Sequence, residues 1–170
     1  FSKLSFAEEP AINTLCGPLS LQAVCQKMNV NCSLDELIEL SGYDKSDGTT
    51  MQGLLMASEK KGLPVVPLKA SYSQMKDFES ICIAYVDGNH FLVVQNVYDD
   101  RVMIQEPPAQ AVQITKKDFE KRWNGELLVF SKKLKGKYGY EKNSKGPKIR
   151  FYKTSHNCGE AFEGEKIVYT

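Results

Sequence analysis

The sequence predicts an α+β domain in which N-terminal helices pack on an antiparallel sheet. Three helical patterns fill the first third of the chain. From Val65 onward the pattern changes to short apolar runs separated by turn residues, and two of these runs are joined by Asp99-Asp100 as a hairpin.

The first helical pattern has Leu19, Ala23, Val24 and Met28 at helical spacing and ends at Asn29 and Asn31. In "SLDELIELSG", Ser33 is placed to cap a second helix, Glu36 to complete a capping box and Gly42 to stop it. "GTTMQGLLMASEKKGL" reads as a third helix, capped by Thr49 or Thr50 and closed by Gly62. Val65 to Leu68 is a short strand and Tyr72 to Phe78 a helical turn. "ICIAYVDG" is a buried strand ending in a turn signal, followed by the hairpin in "HFLVVQNVYDDRVMIQEP". "AVQIT" is another strand, "KKDFEKRW" a short helix that delivers Trp123 to the core, and "ELLVFSKK" closes the sheet. These elements make one domain over residues 1–134. The basic, glycine-containing stretch "KGKYGYEKNSKGPK" at 135–148 reads as a linker. Residues 149–170 resume strand character as a β-rich tail, too short to bury a β core of its own.

At 170 residues the chain can bury one good core. Hydrophobic residues at 42% and charged residues at 25% are ordinary for a globular domain. A net charge of +1 gives no electrostatic reason to expect nucleic acid or an anionic membrane as partner. No apolar run has the length of a membrane span. The chain has five cysteines, an odd number, so at least one thiol is unpaired within the chain. They contain no C-x-x-C pair, which argues against a zinc site, and no metal or cofactor is expected. Cys25 and Cys32 either close a short disulfide in an oxidising compartment or pack the helix end as two small buried residues.

The stretch "NTLCGPLSLQAVCQKM" puts Cys16 at the mouth of the first helix, where the positive end of the helix dipole stabilises a thiolate. That is either an accident of packing or the placement of a nucleophile. A thiol nucleophile needs a nearby base and a third group that orients it. There are two histidines, and His156 lies beyond the linker, which leaves His90. His90 opens a strand after the turn "VDGN", and the hairpin returns with "IQEPP", so that Glu106 emerges at the end of the neighbouring strand. A carboxylate there can accept the imidazole N–H and fix its tautomer. The plainer readings are a satisfied strand-edge histidine and a solvated surface carboxylate.

In order and spacing, "CGPLSLQAV", "GTTMQGLLMASEKKGL", "GNHFLVVQNVYDDRVMIQEPP" and "ITKKDFEKRWNGELLVF" resemble the bacteriocin-processing peptidase family of papain-like cysteine proteases, over roughly residues 5 to 134. Members are best known as N-terminal domains of peptide exporters that remove leader peptides after a double glycine, and free-standing relatives are common. The resemblance implies a papain-like cysteine peptidase fold, with Cys16 as nucleophile, His90 as base and Glu106 as orienting acid. It implies a peptide or protein substrate and, as partner, a peptide exporter. Two positions depart from the family. Glu106 stands where aspartate is usual, adding a methylene. Pro10 stands six residues before the cysteine, where a glutamine normally supplies the oxyanion donor. Asn13 is the nearest amide that can substitute, together with the backbone N–H of Cys16, although its plainer reading is a turn or cap residue. Loss of one oxyanion donor costs about 10²–10³ in turnover. The alternatives to a working peptidase are therefore a weak or inactive peptide-binding module on the same fold, or a thiol-dependent amidase or transferase.

The tail "HNCGEAFEGEKIVYT" looks like the first strands of a bacterial immunoglobulin-like β-sandwich module, which would assign His156 and Cys158 to a scaffold. The start at Phe1 reads as a processed or trimmed product. With the Cys25–Cys32 option and the tail, this gives the expectation of an exported or periplasmic bacterial protein.

Overall fold

The structure is a computed structural model that describes residues 12–137 and the strands at 149–153 and 160–164. A 3-10 turn at Ile12–Leu15 runs directly into α1 (Cys16–Lys27), so Cys16 is the first residue of that helix. Leu15 occupies the cap position and has no side-chain acceptor to offer the first N–H groups, which leaves the positive end of the helix beside the thiol. α2 (Leu34–Leu40) and α3 (Met51–Lys60) complete the helical layer.

The caps follow the sequence with one difference. Ser33 Oγ accepts from the Glu36 N–H at 3.2 Å, as expected, but the Glu36 carboxylate turns away from the capping box and pairs with Lys61 Nζ at 2.8 Å. That ion pair ties the start of α2 to the end of α3 and holds the Glu36 pKa below its usual value, chiefly through the Lys61 hydrogen bond. Of the two threonines offered as cap for α3, Thr50 takes the role, its Oγ1 accepting from the Gly53 N–H at 2.9 Å. A full capping box occurs instead on α4 (Tyr72–Phe78), between Ser71 and Gln74.

Eight strands are described: β1 (Val65–Lys69), β2 (Cys82–Val86), β3 (His90–Val97), β4 (Arg101–Gln105), β5 (Val112–Thr115), β6 (Trp123–Phe130), β7 (Ile149–Lys153) and β8 (Glu160–Gly164). The first six form one antiparallel sheet in the order β1-β6-β2-β3-β4-β5. Its central strands are buried on both faces. Ile83, Tyr85, Phe91, Val93, Leu128 and Phe130 pack on α1, α2 and α3. Their neighbours Cys82, Ala84, Leu92, Val94, Leu127 and Val129 pack with Tyr72 and Met75 of α4 and with Phe119 of α5 (Lys116–Arg122). Double coverage explains why "CIAYV" and "LLVF" are unbroken apolar runs rather than alternating ones. Trp123 is buried, as expected, and donates its indole N–H to the Glu126 carbonyl at 3.1 Å.

α6 (Lys132–Lys137) carries helix into the first residues of the stretch read as a linker, and its Leu134 is buried against the second sheet face. β7 and β8 pair with each other antiparallel. The remainder of the tail, with His156 and Cys158, lies outside the described residues, as does most of the linker. Between the two readings of Cys25 and Cys32 the structure chooses the disulfide, which links the last part of α1 to the segment entering α2. Cys16 and Cys82 are buried and lie outside any disulfide. Among the described residues no helix is long and apolar enough to cross a membrane.

Candidate active site

Three elements converge at the start of α1. The helix brings Cys16, which is 3% exposed. One turn further on, Ser20 Oγ lies 3.5 Å from the Phe91 carbonyl and fixes this face of α1 against the first residues of β3. The β2–β3 turn passes through Asp87 and Gly88, both in the left-handed region with φ of 57° and 70°, and delivers His90 as the first residue of β3. Glu106 follows the last residue of β4, which pairs with β3.

His90 joins the other two groups. Its Nε2 is 3.1 Å from Glu106 Oε1. A carboxylate can only accept, so Nε2 carries its proton toward Glu106 and Nδ1 is left for the thiol. The ring is hydrogen-bonded to Cys16, and that bond is the main reason its pKa is raised above the ordinary 6.5. Burial acts in the opposite direction, while the charges of Cys16 and Glu106 add to the rise. The direction of the shift favours a protonated ring, and a protonated imidazole beside a thiol favours its thiolate, the nucleophilic form of sulfur. The buried Cys82 is a contrast: with no such partner, burial pushes its thiol up to about 12.

The structure brings Cys16, His90 and Glu106 together, and two residues that the sequence did not single out join them. Arg122, the last residue of α5, places Nη2 2.6 Å from Glu106 Oε1, the same oxygen that faces His90. Its Nε and Nη2 also grip Asp87, at 3.1 Å to Oδ1 and 2.8 Å to Oδ2. The backbone repeats the link, since the Asp87 N–H donates to the Arg122 carbonyl at 2.7 Å. No local pattern marks this pair. It arises because β2 pairs with β6, with Val86 opposite Trp123, and the residues next to those two meet. Pro10, which stands where the family has its oxyanion glutamine, lies outside the described residues. Asn13 lies within the 3-10 turn before α1, but its side chain is likewise outside them.

A cavity of about 340 Å³, lined by Met75, Lys76, Gln95, Asn96 and Tyr98 among others, lies toward the other end of β3. None of the three site residues lines it.

The peptidase C39 family model matches residues 11–135. The chain belongs to the peptidase C39 family. The match begins just before α1 and ends within α6, so it takes in every element that builds the site. An uncharacterized protein of Methanothermobacter marburgensis is 34% identical over 114 residues, covering 67% of this chain and 80% of that protein. The lactococcin-G-processing and transport ATP-binding protein LagD of Lactococcus lactis is 29% identical over 75% of this chain, which spans 19% of LagD. Among solved structures, the double glycine motif protease from an AMS/PCAT transporter, in complex with its leader peptide, has a TM-score of 0.63 at 24% identity, covering 73% of this chain and 86% of that one. The peptidase domain of Streptococcus ComA, a bifunctional ABC transporter, has a TM-score of 0.60 at 25% identity, covering 69% and 91%. These likenesses agree with a C39 peptidase fold of helices on an antiparallel sheet.

Proposed function

We propose that the protein is a cysteine peptidase in which Cys16 is the nucleophile, His90 the base and Glu106 the group that orients it. The observation that carries this reading is the position of His90, hydrogen-bonded to the Cys16 thiol and 3.1 Å from the Glu106 carboxylate. The His90 ring takes the thiol proton, and the thiolate attacks the peptide carbonyl to give a tetrahedral oxyanion. As that intermediate collapses, His90 passes the proton to the leaving amine and a thioester remains on Cys16. Water, deprotonated by His90, then hydrolyses the thioester and restores the thiol. The backbone N–H of Cys16 and the Asn13 amide are the proposed oxyanion donors.

Leader peptides ending in a double glycine are the proposed substrates, and a peptide exporter the proposed partner. The leader-bound transporter protease among the structural relatives and the identity to LagD support both. An exported or periplasmic setting is supported by the Cys25–Cys32 disulfide. Incubating the purified chain with synthetic leader–core peptides carrying Gly-Gly at the junction, with mass spectrometry of the products, tests the reading. The expected result is a cut after the second glycine that Cys16→Ala abolishes. Cutting that survives Cys16→Ala would overturn it. Binding of these peptides with no cut would point to the peptide-binding alternative, which Pro10 favours.

A further inference from the structure

We infer that Arg122 is a positioning residue: anchored on Asp87, it holds the Glu106 carboxylate against His90 and so keeps the Cys16–His90 pair charged. The inference rests on the reading of Cys16 as an activated thiol. Three observations carry it. Arg122 Nη2 and His90 Nε2 share a single oxygen, Glu106 Oε1, at 2.6 and 3.1 Å. The guanidinium is fixed from behind by a two-pronged contact to Asp87 and by the backbone hydrogen bond between the same residues. Glu106 itself lies outside a strand, one residue past β4, on a side chain with three rotatable bonds that is 38% exposed. A glutamate in that place has many rotamers that miss His90, and holding it in one costs side-chain entropy. A fixed guanidinium fork selects the productive rotamer, because Arg donates in a planar, pre-organised geometry that Lys cannot copy.

Arg122 reaches that Glu106 oxygen from the end of α5, beside the β2–β3 turn. Because Asp87 sits in the turn that delivers His90, the clamp connects the base, the acid and the helix end in one polar unit. Within this unit the Arg122 charge itself works to lower the His90 pKa, so its benefit to the charged pair comes through Glu106 and not through direct electrostatics.

A double-mutant cycle on Cys16 alkylation tests this without any peptide, so failure of the peptidase reading and failure of the clamp can be told apart. The rate of iodoacetamide reaction at Cys16 is followed from pH 5 to 9 in wild type, Arg122→Met, Glu106→Ala and the double variant. Arg122→Met is expected to slow labelling near pH 6 by about five- to tenfold and to move the acidic limb of the profile upward, toward an ordinary thiol. In the Glu106→Ala background the same change is expected to have little further effect. Arg122→Lys, which keeps the charge and loses the fork, is expected to behave like Arg122→Met. Equal slowing with and without Glu106, an unchanged profile, or a wild-type labelling rate in Arg122→Lys would each overturn the proposal. If Arg122→Met does not fold, Asp87→Asn replaces it in the cycle. There the guanidinium stays and only its anchor weakens, and a smaller slowing that again depends on Glu106 is the required outcome.

Discussion

Two buried thiols, Cys16 and Cys82, show how far a side chain's surroundings set its chemistry. Cys82, inside β2, donates to the Ser80 carbonyl at 3.3 Å and is held neutral by burial, which pushes its pKa up to about 12. Cys16 has a helix start, a histidine and, behind the histidine, a carboxylate. The Cys16–His90 coupling has a measurable consequence. Because the hydrogen bond to Cys16 is the largest cause of the raised His90 pKa, Cys16→Ala should lower the His90 pKa in an NMR titration of its ring protons, with burial then the dominant influence. An unchanged or higher value would contradict the coupling. The sign for stability follows. A folded-state pKa above 6.5 means that His90 contributes stability fully below pH 6.5, and that this contribution is lost as pH rises through the folded value. Asn13 makes a second prediction at this scale. If its amide completes the oxyanion hole in place of the glutamine that Pro10 replaces, Asn13→Ala should cut peptide turnover by about tenfold or more and leave Cys16 alkylation unchanged, since alkylation develops no oxyanion. Equal loss in both assays would assign Asn13 to the structure of the turn.

The elements that hold the site were legible wherever their cause is local. The helix of Cys16, the strand of His90 and the hairpin that returns Glu106 all follow from periodicity and turn residues within a few positions. Gly42 and Gly62, read as helix stops, adopt φ of 66° and 72°, the left-handed conformation that ends a helix. What the sequence hid was decided by contacts between elements. Glu36 leaves its capping box because Lys61, 25 residues away, offers a charged partner. The Arg122–Asp87–Glu106 clamp depends on residues 35 and 16 positions apart meeting across β2, β4 and β6. Packing of α2 on α3 hides another requirement. A Cβ placed on Gly53 would stand 2.1 Å from the Ser41 carbonyl oxygen, a backbone atom that cannot step aside cheaply. Gly53→Ala, a change that favours an isolated helix by about 1 kcal/mol, should therefore destabilise this protein by about 2 kcal/mol or more in a denaturant titration. A neutral or stabilising effect would show that the two helices do not approach as closely as described.

For the molecule as a whole, the two-sided burial of the sheet is what positions the site. α1 is pressed onto β3 by one core, and α5, which ends in Arg122, is pressed onto the opposite face by the other, with Phe119 fully buried there. Nucleophile and clamp thus approach His90 from the two layers, at the end of the sheet where β3 begins. The central claim is that this convergence turns a buried cysteine into an activated thiolate. Brief iodoacetamide treatment of the folded protein at mildly acidic pH, followed by peptide mapping, measures it most directly. The expected result is rapid labelling of Cys16 with Cys82 untouched, and loss of that rapid labelling in His90→Ala. Labelling of Cys16 that is no faster than that of an unfolded control thiol, or that persists unchanged in His90→Ala, would contradict the account.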